Sequence, residues 1–329
     1  MASELSNVNR GPGLIAEYCV FLLLSLFLVL CRAYTRLRVT EFWGWDDTTI
    51  IIAWIFSLIS FVFFCLMIEA GLGRHKAFLS NPEQDVLDLI KWQVGFQTAI
   101  VICTLVTKLS ISLMILRIKD TKSIRYALGI MMFLMTSATV AMIITEFISC
   151  IPLAALWTPS IKGKCIPPSK VYLLAYIQSG ATIVADLCLT ASPVIILWNV
   201  RINKKKKTLI LGLMSLGLIA SVCNAIRSGV QGGLLTDDTP YATVPIVIVC
   251  ILEQGFGIIA ACIPTCMPLL MLSKRRKEQS RYMFENQTGR RQARLRSESS
   301  KDGAWRVYDG NDAVPLAPLH KITTDICSE

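Results

Sequence analysis

Charge is scarce in this sequence. Only 17% of its 329 residues are Asp, Glu, Lys or Arg, against about a quarter in soluble globular domains. With 53% hydrophobic residues beside it, that scarcity excludes disorder for most of the chain and argues against a water-soluble enzyme. Histidine is nearly missing: His75 and His320 are the only two. No C-x-x-C pair occurs, so a Cys/His metal site has no ligand set to draw on. Enzyme signatures are missing too, with no GxxxxGK[ST], no G-x-S-x-G and no H-E-x-x-H. The chain is therefore expected to be no enzyme and to carry no cofactor or metal. Its 12 cysteines fall mostly inside apolar runs, where they read as small buried hydrophobes and not as a disulfide framework.

Long apolar runs are what the sequence has instead. A spanning helix needs about 20 mostly apolar residues. Seven such runs occur, near 14–31, 48–68, 93–116, 127–147, 171–199, 208–228 and 244–272. The expected fold is an all-α bundle of seven transmembrane helices. The first run follows a stretch with one cation and ends in Cys31-Arg32 and a basic loop, so it reads as a retained anchor and not a cleaved signal peptide.

The net charge of +10 does not point to nucleic acid, because the cations lie in short connections between apolar runs. With the N-terminus outside, the outer connections hold 7 Lys/Arg and the inner ones 17. The positive-inside bias selects N-outside and C-inside. The expected organisation is a short extracellular N-terminus over 1–13, a seven-span domain over 14–272 and a disordered, basic cytosolic tail over 273–329. The tail carries 12 Lys/Arg against 8 Asp/Glu, and its opening cations suit anionic headgroups.

Ionisable residues inside spans are costly and mark candidate sites. Lys108 in the third span and Asp186 in the fifth match in depth, which predicts a buried ion pair. That pair either fixes helix packing or serves as a switch. Asp46 and Asp47 open the second span, where they suit the N-terminus of a helix. The alternative is an inner-face contact with Arg117 that latches an inactive state. Glu69, Glu146, Arg227 and Glu253 lie toward the outer ends and are candidates for an outward-facing polar pocket. Interfacial snorkelling is the other reading for the first three. Cys150 and Cys165 share one outer loop in an oxidising compartment, so a disulfide between them is expected. Glycine in GLGRH after the second span reads as a helix C-terminal cap. The run Lys204–Lys207 is a topology signal, with a docking surface for a cytosolic protein as the second reading.

Several strings, in order, carry a family resemblance: WGWDDTTIIIAWI, GLGRH, KLSISLMILR, CIPLAALWTPSIKGKC, DLCLTASPVIILWNV, NAIRSG and LEQGFGIIAACIPTCMPLL. Together they resemble the fungal rhodopsin-domain family of seven-span integral membrane proteins, some of them described as receptor-like. The resemblance implies a receptor-like sensor of an external ligand, with the bilayer as its solvent and a cytosolic signalling protein as a possible partner at the inner loops and tail. A transporter or channel, or a non-signalling scaffold, are the alternatives. The plasma membrane is the expected location in preference to an internal membrane. A retinal pigment needs a lysine within the last span, and 244–272 contains none, so light chemistry does not come with the resemblance.

Overall fold

The computed structural model describes residues 10–79, 81–118, 121–158, 160–197 and 239–266, with six isolated helical positions between 218 and 229. Expectations for residues 1–9, for the sixth apolar run, for Arg227, for Lys204–Lys207 and for the tail after 272 fall outside these described residues. The chain divides into two units, Met1–Met271 and Leu272–Glu329, and everything below concerns the first.

Six helices among the described residues are long and apolar enough to cross a membrane. They are α1 (Gly11–Tyr34), α2 (Trp45–Glu69), α3 (Pro82–Ile118), α4 (Lys122–Phe147), α5 (Pro168–Leu197) and α6 (Pro240–Cys266). They correspond to the first five apolar runs and the seventh. One end of the bundle gathers Arg32, Arg36 and Arg117 and is called the basic end here. The opposite end holds the Cys150–Cys165 bridge and is called the disulfide end.

Local chemistry sets the helix boundaries. Pro12 stands in the first turn of α1, where its missing N–H costs nothing. Past Tyr34 the helix widens into a π-turn over Thr35–Val39. Asp47 accepts the Gly44 N–H at 3.1 Å and so fastens the start of α2. The far end of α2 closes with the Gly71 N–H on the Ile68 carbonyl and the Leu72 N–H on the Met67 carbonyl. This is a Schellman cap; it places its C′ residue in the left-handed region, and Gly71 takes it at φ +97°. At 37 residues α3 runs about 55 Å, well beyond the about 30 Å of a hydrocarbon core. Its Pro82 end therefore reaches past the membrane-depth region.

Side chains are sorted inside out. Val20, Phe27, Phe133 and Leu173 are exposed, whereas Ser25, Ser57, Ser60, Thr107 and Ser110 are buried. A soluble protein does the reverse. Lipid solvates the apolar exterior, and the small polar residues let helices approach and bond across the interior. Two apolar clusters stack along the bundle. Tyr18, Phe64, Phe96 and Ile251 lie toward the disulfide end. Val29, Ile50, Cys103 and Ile258 lie toward the basic end. A third, smaller cluster of Ile115, Leu128 and Leu189 joins α3, α4 and α5.

At the disulfide end, the two-residue strands β1 (Cys150–Ile151) and β2 (Lys164–Cys165) pair antiparallel with the two cysteines in register. The turn after α2 ties three elements together. Its Gly73 carbonyl accepts the Arg10 N–H, and its Gly73 N–H donates to the Pro240 carbonyl at the start of α6. His75 stacks on Tyr241 with ring centroids 4.0 Å apart.

Candidate functional site

The basic end holds a cluster of five charged side chains. Arg32 and Arg36 lie one helical turn apart and therefore share a face. Each forks onto the same two carboxylates. Arg32 donates through Nε to Asp47 Oδ1 at 2.8 Å and through Nη2 to Asp46 Oδ2 at 2.7 Å. Arg36 repeats the pattern at 3.2 and 3.1 Å. Arg117, at the end of α3, donates to Asp46 Oδ1 at 3.1 Å. Three cations thus face two anions. The Arg32 side chain is 1% exposed and the aspartates 4% and 1%, whereas Arg117 is 28% exposed. A guanidinium stays charged when buried, so its burial is tolerated only where its donors are matched. The remaining nitrogen of Arg32, Nη1, donates to the Ala261 carbonyl of α6 at 2.6 Å.

Further contacts make this cluster a joint of four helices. Ser110 on α3 donates to the Asp46 carbonyl at 2.6 Å. Arg117 also donates to the Phe42 carbonyl at 3.1 Å and lies over the Phe42 ring at 4.5 Å. Gly44 is required by close approach: a Cβ there would run into the Asp46 carboxylate and the Arg117 guanidinium. Asp46 and Asp47 are thus both helix-starting acids and partners of Arg117. The helix-start bond and the Arg117 contact are both present.

Midway along the bundle, Lys108 Nζ lies 3.0 Å from Asp186 Oδ1, and both side chains are buried. Nζ also approaches the Thr182 carbonyl at 3.5 Å. From the basic ends of their helices, Lys108 and Asp186 are 10 and 11 residues in, about 15 Å for each. The ion pair therefore lies between α3 and α5, about half a hydrocarbon thickness from the basic end.

A second interior group links α1, α2 and α6. The Tyr18 hydroxyl is 2.6 Å from Ser60 Oγ. Gln254 donates to Ser57 Oγ and reaches the Tyr18 hydroxyl at 3.4 Å. These four side chains satisfy one another where no water is at hand.

The outer-pocket candidates do not share one environment. Glu69 is exposed at the end of α2. Glu146, at the end of α4, accepts from Thr98 Oγ1 on α3 at 3.2 Å. Glu253 is buried, 13 residues into α6, about 20 Å below the helix start. The helix begins at Pro240, before the apolar run that opens at 244. Arg227 is outside the described residues.

Arg32 and Arg36 were not among the candidates drawn from sequence. Basic residues after a span read as topology signals, and that reading hides whether a side chain turns outward or inward. The usable signal was their spacing of four, placed just before an Asp-Asp pair that opens the next span. Gln254, Ser57, Ser60 and Tyr18 were missed because uncharged polar residues are common in membrane helices.

Six apolar helices with a polar, bonded interior define an integral multi-pass membrane protein. The comparisons place it more narrowly. The chain matches the fungal rhodopsin domain over residues 31–272 and belongs to that family. It is 25% identical over 291 residues to the polyenoic acids biosynthesis gene cluster protein Ba17b of Metarhizium anisopliae, covering 82% of this chain and 77% of that one. It is 23% identical to a SAT4 family membrane protein of Emericella nidulans, covering 86% of this chain and 68% of that one. A shorter match, 27% identical over 143 residues, is to the fugralins biosynthesis cluster protein 2 of Gibberella zeae; it covers 42% of this chain and 34% of that one. No solved structure matches.

Proposed function

We propose that the protein is a receptor-like sensor of an external small organic molecule, oriented with its basic end in the cytosol and its N-terminus outside, in the plasma membrane. The basic-end cluster is the observation that carries this reading. It ties α1, α2, α3 and α6 by charge-assisted bonds, and its outermost member, Arg117, reaches the rim. Such bonds are made or lost as units, so the cluster suits a two-state latch. A receptor signals by shifting the balance of such states. Release of Arg117 would free the end of α3 for a cytosolic protein. Two of the relatives are named for biosynthetic gene clusters, one of them for polyenoic acids, which supports a small organic product as the ligand.

Retinal is not part of this reading. The last span offers no lysine, and Lys108 is engaged by Asp186. A transporter is disfavoured by the form of the helices: α2, α3 and α4 run unbroken through the midplane, whereas transporter sites are typically built from interrupted ones.

Hydrogen exchange on the purified protein in nanodiscs tests the latch without knowledge of the ligand. Arg117→Gln removes the rim contact and leaves Arg32 and Arg36 on both aspartates. Exchange should rise in residues 110–118 and 40–48 and stay unchanged in 14–30. Unchanged exchange throughout would show a rigid scaffold joint. A rise along every helix would show a folding element and not a latch.

A further inference from the structure

Two buried polar atoms on α5 have no partner. Gln178 is 7% exposed and Ser179 1% exposed. Gln178 Nε2 donates to Thr139 Oγ1 on α4 at 3.0 Å, yet its Oε1 is unpartnered, and so is Ser179 Oγ. At membrane depth no water relieves such groups, and each typically costs a few kcal/mol. Elsewhere in the interior Ser57, Ser60, Thr107, Ser110 and Ser112 all hold a bond, while Trp54 Nε1 on α2 is also buried without a hydrogen-bond partner. On α5 two such atoms stand at adjacent positions.

That stretch has a direction. Ser179, Thr182 and Asp186 recur at spacings of three and four, so they share one face of α5. The face meets α3, because Lys108 reaches both the Thr182 carbonyl and Asp186. Gln178 meets α4 through Thr139. The two unpartnered atoms therefore open on the seam of α3, α4 and α5, about 10 Å from the ion pair toward the disulfide end.

We infer that this seam binds an apolar molecule through a single hydroxyl. The chemistry follows from what each atom lacks. Gln178 Oε1 only accepts, so the ligand must donate, and a carboxylate or an ether has nothing to donate. Ser179 can donate in return to the same ligand oxygen. An anionic head is disfavoured by Asp186 in the same seam, and an ammonium has no lone pair to accept from Ser179. The remainder of the ligand must be apolar, because the surroundings are membrane-depth helix faces. The inference deepens the receptor reading and rests on it for its meaning as a sensing site; binding itself needs no latch. A hydroxyl bound here lies on the element that holds Lys108, and α3 carries Lys108, Ser110 and Arg117 in line toward the basic end.

The probe is a ten-carbon primary alcohol carrying a diazirine, applied to the protein in nanodiscs, with crosslinks mapped by mass spectrometry. Its methyl ether and the corresponding carboxylate, both with the same diazirine, are the controls. The alcohol should label peptides spanning 132–142 and 175–186, compete with unlabelled 1-decanol, and exceed both controls. Ser179→Ala should cut this labelling by up to about tenfold, the weight of one hydrogen bond. Ser179→Thr, which keeps a hydroxyl, should restore most of it. Ser179→Ala should also leave the thermal midpoint of the ligand-free protein unchanged or raised, because it removes a buried unpartnered group. Equal labelling by alcohol and ether, or undiminished labelling of Ser179→Ala, would overturn the inference. So would a midpoint that falls in Ser179→Ala, since that shows a bond already made. Alcohol labelling at the seam with no change in exchange at the basic end would retain the site and refute the receptor reading. The converse, a latch that moves while the seam stays unlabelled, would retain the receptor and refute the site.

Discussion

Removing one member of the Lys108–Asp186 pair should cost at least as much as removing both. The two side chains are 7% and 9% exposed and meet at 3.0 Å. Lys108→Ala leaves a buried carboxylate without its cation. Asp186→Ala leaves an ammonium whose other contact, the Thr182 carbonyl, is long at 3.5 Å. Breaking a buried pair costs about 3–5 kcal/mol in soluble proteins. The survivor recovers part of this by changing its protonation state, so a loss of about 2–4 kcal/mol for each single variant is expected. The double variant loses the pair's packing but holds no stranded charge. Its loss should be close to that of one single variant or smaller, giving a coupling energy of at least about 2–4 kcal/mol. The assay is the thermal midpoint and monodisperse yield in detergent for all four proteins. Losses that add to within about 0.5 kcal/mol would mean the residues do not interact, and the buried-pair description would be wrong at its centre.

Three other outcomes follow from named contacts. Cys150→Ser with Cys165→Ser opens a loop of 15 residues; it should lower stability by about 3 kcal/mol, read as a midpoint drop that reduction of the wild type reproduces. Gly44→Ala forces a Cβ onto Asp46 and Arg117 and should raise exchange at 40–48, whereas Gly13→Ala, where a Cβ meets nothing within 4 Å, should leave both stability and exchange alone. Purified protein mixed with all-trans or 11-cis retinal should give no red-shifted band, and a stable visible band lost in Lys108→Ala would make Lys108 an attachment site.

The helices were legible in the sequence because hydrocarbon imposes length and apolar content directly, residue by residue. Lys108 and Asp186 were legible for the same reason: a charge inside an apolar run has few places to go, and equal depth on two helices names its partner. Arg32 was not, although it is as fully buried as Asp47 in the same cluster. It stands at the edge of an apolar run, where a headgroup and a buried carboxylate satisfy an arginine equally well. Only the packing of α1 against α2 and α6 decides between them. The start of α6 at Pro240 was not legible, because that stretch is too mixed in composition to announce a helix. Gln178 and Ser179 carry no sequence signal at all. Their unusual state is a missing partner, which is a property of neighbours and not of residue type.

The central claim is that the basic-end cluster has two states. Pulsed electron-spin distance measurement between labels at positions 41 and 122, introduced as unnatural amino acids so that the native cysteines stay intact, tests it most directly. Wild type, Arg117→Gln and Asp46→Asn should be compared in nanodiscs. The account predicts one dominant distance in the wild type, and in both variants a second, separate distance that gains population without loss of the first. One unshifted distance in all three proteins would contradict it and leave the cluster as a fixed joint of the bundle.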